Sequence, residues 1–383
     1  MRVLIVGVST RAFAVSAAQA GYRVGAIDAF GDLDQAARLP VTALRRESGS
    51  GWSARAAARA SRGVRCDAVV YVSSLENHPA AVRLLARGRR LLGNPPAVLE
   101  RVRDPILVTR AFARAGFRVP AVRLRSPRTD DGTRWLLKPR ASGGGHGIQP
   151  WRPGEGVAAS HYLQERVRGV PGSIVFVADG RRAVPLLITR QIVGEAAFGA
   201  RRFKYCGNIA AGATPQFAAE DLLVERASLL AAFITREFGL IGVNGIDFIA
   251  RNGVPWPIEI NPRYSASMEL AERSYGVSVF AAHAAGCAGK LTPFDLPAAR
   301  GHARAAGKAV VYARCRVRLG DTRSWLRAGW IADVPRPGGT IDRGAPICTV
   351  FAEARSAERC HEALVRRARR IYRKVESAGR RTA

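Results

Sequence analysis

Apolar positions along the chain fall into short blocks whose period changes from one region to the next. Val3-Leu4-Ile5-Val6 is a continuous apolar run stopped by Gly7, which predicts a strand buried on both faces. An alanine-rich stretch follows, with Ser9 or Thr10 at a cap position and Gly21 at its end, and predicts a helix. Tyr22 to Ile27 then makes a second strand closing on Asp28, Asp67 to Ser73 a third, and Leu91-Leu92-Gly93-Asn94 a short one. Strands alternating with helices predict an open α/β domain over residues 1–100. Ser9, Thr10 and Arg11 stand at a helix start and could hold an anionic group, but capping is the simpler role. GxGxxG is absent, so the dinucleotide fingerprint is missing.

Between 101 and 292 the pattern turns antiparallel. A helix from Val98 runs to Gly116, and Arg134 to Leu137 form a strand that delivers Lys138-Pro139. His161 to Gly169 is extended, and Ser173–Ala178 and Ala183–Thr189 flank an Asp179-Gly180 turn. Leu222, Leu223, Ala227, Leu230, Ala231 and Ile234 recur at helical spacing within Glu220–Phe238. Val243–Ile249 and Pro257–Asn261 alternate with period two around Asn252-Gly253, a hairpin signal. In these two runs Ile246, Phe248, Ile258 and Ile260 are assigned to the core, and Asp247, Glu259 and Asn261 to the polar face. A strict two-residue loop would set Asp247 opposite Ile258, on the wrong face for joining Glu259. If the two carboxylates act together, the hairpin must contain a bulge or an odd loop, and Pro255 and Pro257 favour such an irregularity.

Residues 293–383 read as a small C-terminal α+β segment. Ala309–Arg316 and Ile347–Phe351 are strands, and Pro335-Arg336-Pro337-Gly338-Gly339 is a turn. Ala357, Cys360, Leu364, Ala368, Ile371 and Val375 define an amphipathic helix whose arginines lie mostly outside.

Composition changes this picture little. The chain has 383 residues, 48% hydrophobic and 23% charged, as expected of a globular protein with more than one core. No apolar run is long enough to span a bilayer, and the N-terminal strand is too short for a signal peptide, so a cytoplasmic protein is expected. Six cysteines without CxxC read as buried or inert thiols, and six histidines without HxH or HxxxH give no zinc signature. The net charge of +30 is nearly all arginine, dispersed along the chain without a basic tail. It fits either a coding bias from Lys to Arg or attraction of an acidic substrate, and it speaks against a dedicated nucleic-acid surface.

The chemistry-bearing residues cluster in three places. Lys138-Pro139 precedes Arg140-Ala141-Ser142-Gly143-Gly144-Gly145-His146-Gly147, a run that lets backbone N–H groups approach phosphate as a mobile lid. It is not a Walker A loop, because the lysine precedes the glycines. Glu259, Asn261 and Arg263, with Asp247 upstream, put hard oxygens and a guanidinium on one ledge, suited to Mg²⁺ and the phosphates it neutralises. Arg201-Arg202-Phe203-Lys204 is a third, basic segment; Lys204 there is a candidate contact for an anion or a reacting carboxylate.

Taken in order, Lys138-Pro139, the glycine lid, Gln164-Glu165-Arg166-Val167, Asp247, Glu259-x-Asn261 and Arg263 resemble the ATP-grasp superfamily, most clearly its biotin-carboxylase-like branch. The likeness covers about residues 1–350. It implies an ATP-grasp two-subdomain nucleotide fold over 101–292, between the α/β domain and the C-terminal segment. ATP and Mg²⁺ are the implied cofactors. By position, Lys138 would touch the α- and β-phosphates beneath Ser142, Gly143, Gly144 and Gly145. Gln164, Glu165 and Val167 would form the hinge that reads adenine. Asp247, Glu259 and Asn261 would hold Mg²⁺, Arg263 would face the transferred phosphoryl group, and Lys204 matches a substrate-binding lysine of carboxylases. A second nucleotide-contacting lysine is missing; Arg103-Asp104-Pro105 stands in its region. Ala332-Asp333-Val334-Pro335 and Gly344-Ala345-Pro346-Ile347-Cys348-Thr349 resemble carboxylase-related ligases linked to tetrahydromethanopterin or methanofuran C1 metabolism.

The activity implied is an ADP-forming carboxylate–amine ligase working through an acyl phosphate. Its partners would be small-molecule acid and amine substrates of acidic character, such as glutamate, with a homodimer as the family's common assembly and no membrane partner. An ATP-dependent carboxylase of the purine or biotin type is the alternative within the family. A basic nucleic-acid-binding protein on the same scaffold is the alternative outside it.

Overall fold

Five parallel strands open the computed structural model, which describes residues 1–47, 52–127, 132–210, 212 and 215–380. They are β1 (Arg2–Val6), β2 (Arg23–Asp28), β3 (Val41–Ala43), β4 (Ala68–Tyr71) and β5 (Arg90–Leu91), in the order β3-β2-β1-β4-β5. Val3 to Val6 are all buried, as a strand covered on both faces requires. The winding direction reverses between β1 and β4, which opens a crevice at their C-terminal ends. Gly7 leaves β1 there. A Cβ on it would stand 2.2 Å from Val72 Cγ2 and 2.8 Å from the Ser73 carbonyl oxygen, so the glycine is set by strand packing. Thr10 occupies the N-cap position of helix Arg11–Gln19 without making a cap bond. Its N–H and hydroxyl both donate to Asp28 Oδ2, at 2.7 and 2.9 Å, which corrects the capping role expected for this segment.

A small antiparallel sheet follows: β6 (Val122–Arg123), β7 (Trp135–Pro139), β8 (Gln149–Pro150) and β9 (His161–Glu165), ordered β6-β9-β7-β8. The glycine-rich run is the connection between β7 and β8. The third layer holds β10 (Val170–Asp179), β11 (Ala183–Val193), β12 (Tyr205–Ala210), β13 (Ile241–Arg251), β14 (Val254–Asn261) and β15 (Ala305–Tyr312). After a minor strand β16 (Val317–Arg318) come β17 (Ile331–Ala332), β18 (Thr340–Ile341), which pairs with β16, and β19 (Pro346–Ala354). The eight-stranded sheet runs β14-β13-β10-β11-β12-β15-β19-β17.

Because β12 pairs directly with β15, the expected boundary at 293 falls between neighbouring strands of one sheet. Helix Glu220–Phe238 packs on β10, β11, β13 and β14 through Leu223, Ala227, Leu230, Ala231 and Ile234. Leu222, expected on the same face, is exposed. Helix Ala357–Arg380 lies on β15 and β19 and buries Ala357, Cys360, Leu364, Ala368, Ile371 and Val375, the stripe that the spacing predicts. No helix among the described residues is long and apolar enough to cross a membrane.

Helix Val279–Cys287 joins the two large sheets, and His283 is its polar rivet. The buried ring accepts from the Val243 N–H at 3.0 Å through Nδ1 and donates to the Leu92 carbonyl at 3.2 Å through Nε2, an arrangement that fits the neutral tautomer. Burial pushes His283 down from 6.5 to about 4, opposed in part by the Leu92 hydrogen bond. Below pH 6.5 the unfolded chain therefore takes up a proton that the folded chain refuses, and stability falls as pH drops towards 4. Between pH 6.5 and 4.5 this group should remove about 2 kcal/mol of folding stability. Urea midpoints of the parent should fall more steeply over that window than those of His283→Gln; parallel slopes would contradict the assignment.

Candidate functional site: a covered cleft with a carboxylate ledge

The β13–β14 hairpin builds the ledge. Arg251 pairs with Val254 across Asn252 and Gly253, both at positive φ, as a tight two-residue turn demands. Phe248 faces Pro257, but the next pair is Asp247 with Glu259, so Ile258 is the extra residue of a bulge. Of the two solutions the parity allows, a bulge or an odd loop, the hairpin uses the bulge. It brings Asp247, Glu259 and Asn261 to one face of the sheet.

Asp247 accepts from Gln191 Nε2 at 2.9 Å and from Asn261 Nδ2 at 3.1 Å. Burial, and after it the Glu259 charge, push its carboxyl up to about 7. Burial would raise Glu259 as well, but Arg103, Lys138 and Arg263 hold it below the usual carboxylate range. Among the described residues no three His, Cys, Asp or Glu side chains converge as a metal-binding group. The ledge instead offers two carboxylates and an amide oxygen. Two adjacent carboxylates that cannot both ionise easily are short of positive charge, and a hard divalent cation fits that deficit.

In front of the ledge lies a cleft lined by Arg103, Lys138, Ser142, Tyr162, Gln164 and Glu259. Arg103 spans it. Its Nη1 donates to Glu259 Oε1 at 2.8 Å and to the Ile260 carbonyl at 2.9 Å, Nε to Asn77 Oδ1 at 3.1 Å, and Nη2 to the Ser142 carbonyl at 3.3 Å. The guanidinium thus joins the parallel domain, the lid and the ledge. Lys138 on β7 is buried, with Nζ donating to Gln164 Oε1 at 2.9 Å and to the Ile258 carbonyl at 3.4 Å. The β7–β9 register sets Lys138 opposite Tyr162, so Lys138, Tyr162 and Gln164 share one face. Apolar side chains line the cleft as well, among them Val108, Val119, Ile148 and Tyr162.

Ser142, Gly143 and Gly145 also line the cleft, while Gly144 turns outward and accepts from the Tyr205 N–H at 3.0 Å. Of the expected hinge, Gln164 lines the cleft and is engaged with Lys138. Glu165 and Val167 stand outside it; the Glu165 carboxylate accepts from the Ala121 N–H at 3.0 Å. Asp247 and Asn261 lie behind Glu259 rather than on the cleft wall. Arg263 also lies behind, buried, with Nη2 on Glu76 Oε1 at 2.7 Å and Asn261 Oδ1 at 3.3 Å. Lys204 sits across the lid: Nζ donates to the Gly344 carbonyl and lies 3.8 Å from the centre of the Tyr312 ring. Burial lowers Lys204 from its ordinary value, and burial with the Lys204 charge lowers His146 on the lid.

Glu76 and Asn77 are the residues that sequence reasoning misses. They lie on one 3₁₀ turn after β4, in the crevice of the parallel sheet, and hold Arg263 and Arg103 respectively. Only the position of that loop at a strand's C-terminal end could have pointed to them. The apolar wall was legible in principle, because alternation along β9 puts Tyr162 on the Gln164 face.

Residues 102–267 match a family model described as an ATP-grasp domain. A comparison of the sequence with curated proteins gave no match. Among solved structures, the chain is similar to a pyruvate carboxylase from Rhizobium etli, at TM-score 0.72 and 15% identity. That likeness covers 95% of this chain and 37% of the carboxylase chain. The biotin carboxylase domain dimer of Hydrogenobacter thermophilus 2-oxoglutarate carboxylase, solved with Mg·ADP, ADP and bicarbonate, aligns at TM-score 0.67 and 16% identity. It covers 95% of this chain and 88% of that one. A carboxyaminoimidazole ribonucleotide synthase from Aspergillus clavatus, complexed with ATP, aligns at TM-score 0.68 and 13% identity over 98% of each chain. The fold is therefore that of the biotin carboxylases and these synthases, with an ATP-grasp domain in its middle.

Lid docking gives a direct test. A Cβ on Gly145, whose φ is +77°, would stand 1.9 Å from the Phe203 carbonyl oxygen, whereas one on Gly143 meets nothing within 4 Å. Left-handed strain alone costs an alanine about 1–2 kcal/mol. Gly145→Ala should therefore speed hydrogen exchange of the Tyr205 amide by roughly tenfold or more, with Gly143→Ala near the parent. Equal protection in the two variants would show that the lid does not dock through Gly145.

Proposed function

We propose that this chain is an ATP-dependent, ADP-forming ligase that activates a carboxylate as its acyl phosphate and passes the acyl group to an amine. The observation that carries the reading is the bulge-aligned pair Asp247 and Glu259 behind a lidded cleft lined by Lys138 and Arg103. The ATP-grasp match over 102–267 supports ATP as the phosphoryl donor.

Phosphoryl transfer between oxygens calls for charge neutralisation and alignment more than for a protein nucleophile. In this reading the adenine packs on the apolar side chains of the cleft, and the phosphates lie towards the ledge. Lys138, oriented by Gln164 and the Ile258 carbonyl, supplies a fixed positive charge to them. Arg103 occupies the place of the missing second lysine, and its fork holds Glu259 while reaching the lid. Asp247, Glu259 and Asn261 would hold Mg²⁺, which when bound neutralises phosphate charge and orients the transferred group. A carboxylate oxygen of the acid attacks the γ-phosphorus and ADP leaves. The amine nitrogen then attacks the acyl carbon, phosphate departs, and the nitrogen's proton is lost to form the amide. Arg263, fixed by Glu76, sits beside Asn261 behind the ledge, where its charge helps to keep Glu259 ionised. The glycine lid keeps water from the acyl phosphate.

Bicarbonate as the activated acid is a second reading, favoured by the likeness to carboxylating enzymes over nearly the whole chain. The finer expectation, glutamate added to a methanopterin or methanofuran coenzyme, rests on the net positive charge and family likeness for the glutamate and on the tail motifs for the coenzyme, and no site residue adds to it.

ADP release from Mg·ATP with a panel of acids and amines tests the reading. Release should require one acid and one amine, and Glu259→Gln should lower its rate about 10²–10³-fold with the fold intact by circular dichroism. Release driven by bicarbonate would transfer the assignment to carboxylation. Parent-level turnover by Glu259→Gln would remove Glu259 from the site.

A further inference from the structure

Away from the nucleotide cleft, the switch-point crevice of the parallel sheet holds a second set of buried ionic groups. Asp28 ends β2 and Asp32 and Asp34 follow it, Arg11 follows β1, and Asp333 enters from the tail beside β17. Most of these groups are satisfied. Arg11 donates to both oxygens of Glu269, at 2.6 and 3.0 Å, and to Asp333 Oδ1 at 2.7 Å. Asp34 accepts from the N–H groups of Asp333 and Val334, at 3.0 and 2.9 Å. Asp28 takes the Thr10, Phe30 and Gly31 N–H groups.

Three groups are not. The Asp32 carboxylate, on a residue only 8% exposed, has neither a hydrogen bond nor an ion pair among the described residues. Gln35 is fully buried, with Nε2 donating to Thr10 Oγ1 at 2.7 Å and Oε1 without a partner. The Tyr264 hydroxyl, buried near Glu269 and Asp333, is unpartnered as well. Native proteins rarely leave buried polar atoms idle, so Gln35 Oε1 and the Tyr264 hydroxyl call for a partner, and the Asp32 carboxylate stands near them without a protein partner of its own. Burial and the facing Asp333, Asp28 and Asp34 charges push Asp32 well up, so the crevice is short of positive charge. This is notable in a chain of net charge +30, whose overall field would repel a cation. Among the described residues these carboxylates form no metal-binding group, so a multi-donor organic cation fits better than a bare ion. The C-terminal ends of strands at a switch point are also where open α/β sheets take ligands.

We propose that Asp32, Gln35 and Tyr264 form a subsite for an ammonium group of the second substrate, an amine bound in the crevice between the parallel sheet and β17. This rests on the ligase reading, and it makes the acceptor a cation at the end bound here.

The test is calorimetric titration of the whole chain with n-butylammonium and 1,4-diaminobutane, beside n-butanol and succinate as uncharged and anionic controls. At least one ammonium compound should bind while both controls do not. Asp32→Asn should weaken that binding tenfold or more and yet raise Tm, because it removes one negative charge facing Asp28, Asp34 and Asp333; a purely structural aspartate would give a lower Tm. Gln35→Leu, which deletes the idle acceptor without touching a charge, should also weaken binding. Absence of ammonium binding, or binding unchanged in both variants, overturns the subsite. A Tm rise with Mg·ADP is measured in the same samples: its loss in the parent would count against the ligase reading alone, and its persistence in Asp32→Asn separates the two sites.

Discussion

A carboxylate with two cations on it joins the three regions of this chain. Glu269 is buried, and against the cost of that burial Arg11 and Lys308 hold it well below the usual carboxylate range. Arg11 comes from the helix after β1, Glu269 from the segment just beyond the ledge strand, and Lys308 from β15, where its Nζ lies 2.6 Å from Glu269 Oε2. Removing one member of such a group leaves a buried charge uncompensated, which typically costs about 3–5 kcal/mol. The crevice, the ledge and the C-terminal strands therefore keep their relative positions through one ionic knot. Phe13 stacked on Tyr264 at 4.2 Å adds an apolar contact beside it.

The parallel domain also acts as scaffolding for the nucleotide cleft. Glu76 and Asn77, consecutive on one turn, fix the guanidinium groups of Arg263 and Arg103 from outside the ATP-grasp domain. Asn94 strengthens the same seam, donating to Asn244 Oδ1 at 2.8 Å and to the Pro262 carbonyl at 3.0 Å. Two arginines on one side of the cleft are thus oriented by residues distant in sequence. Arginine suits that task, since its planar fork can serve a partner and a ligand at once.

What was legible in the sequence followed from local periodicity. The parity of the β13–β14 hairpin called for a bulge or an odd loop, and a bulge is there, because side-chain alternation would otherwise put Asp247 opposite Ile258. The stripe on the last helix emerged for the same reason, since 3.6-residue spacing fixes a face. Local pattern names a face without naming its partner, which is why other features stayed hidden. Nothing in Ser9-Thr10-Arg11 reveals that Thr10 serves Asp28 or that Arg11 reaches Glu269 across more than 250 positions. Similarly, the β12–β15 pairing that merges the tail with the middle of the chain is a long-range register, and strand propensity cannot specify it.

The bulge at Ile258 also governs how this protein can vary. Strand parity is binary, so the loop and the bulge can change only together: losing one residue between Asn252 and Ile258 is absorbed by losing the bulge, which again sets Glu259 opposite Asp247. Substitutions in that loop change its chemistry by degrees, whereas a change of length must be matched by a change in the bulge if the ledge is to survive. Among descendants of this sequence that keep the ledge, the pairing of Asp247 with Glu259 should be the enduring record of function, outlasting both the residues of the loop and their number.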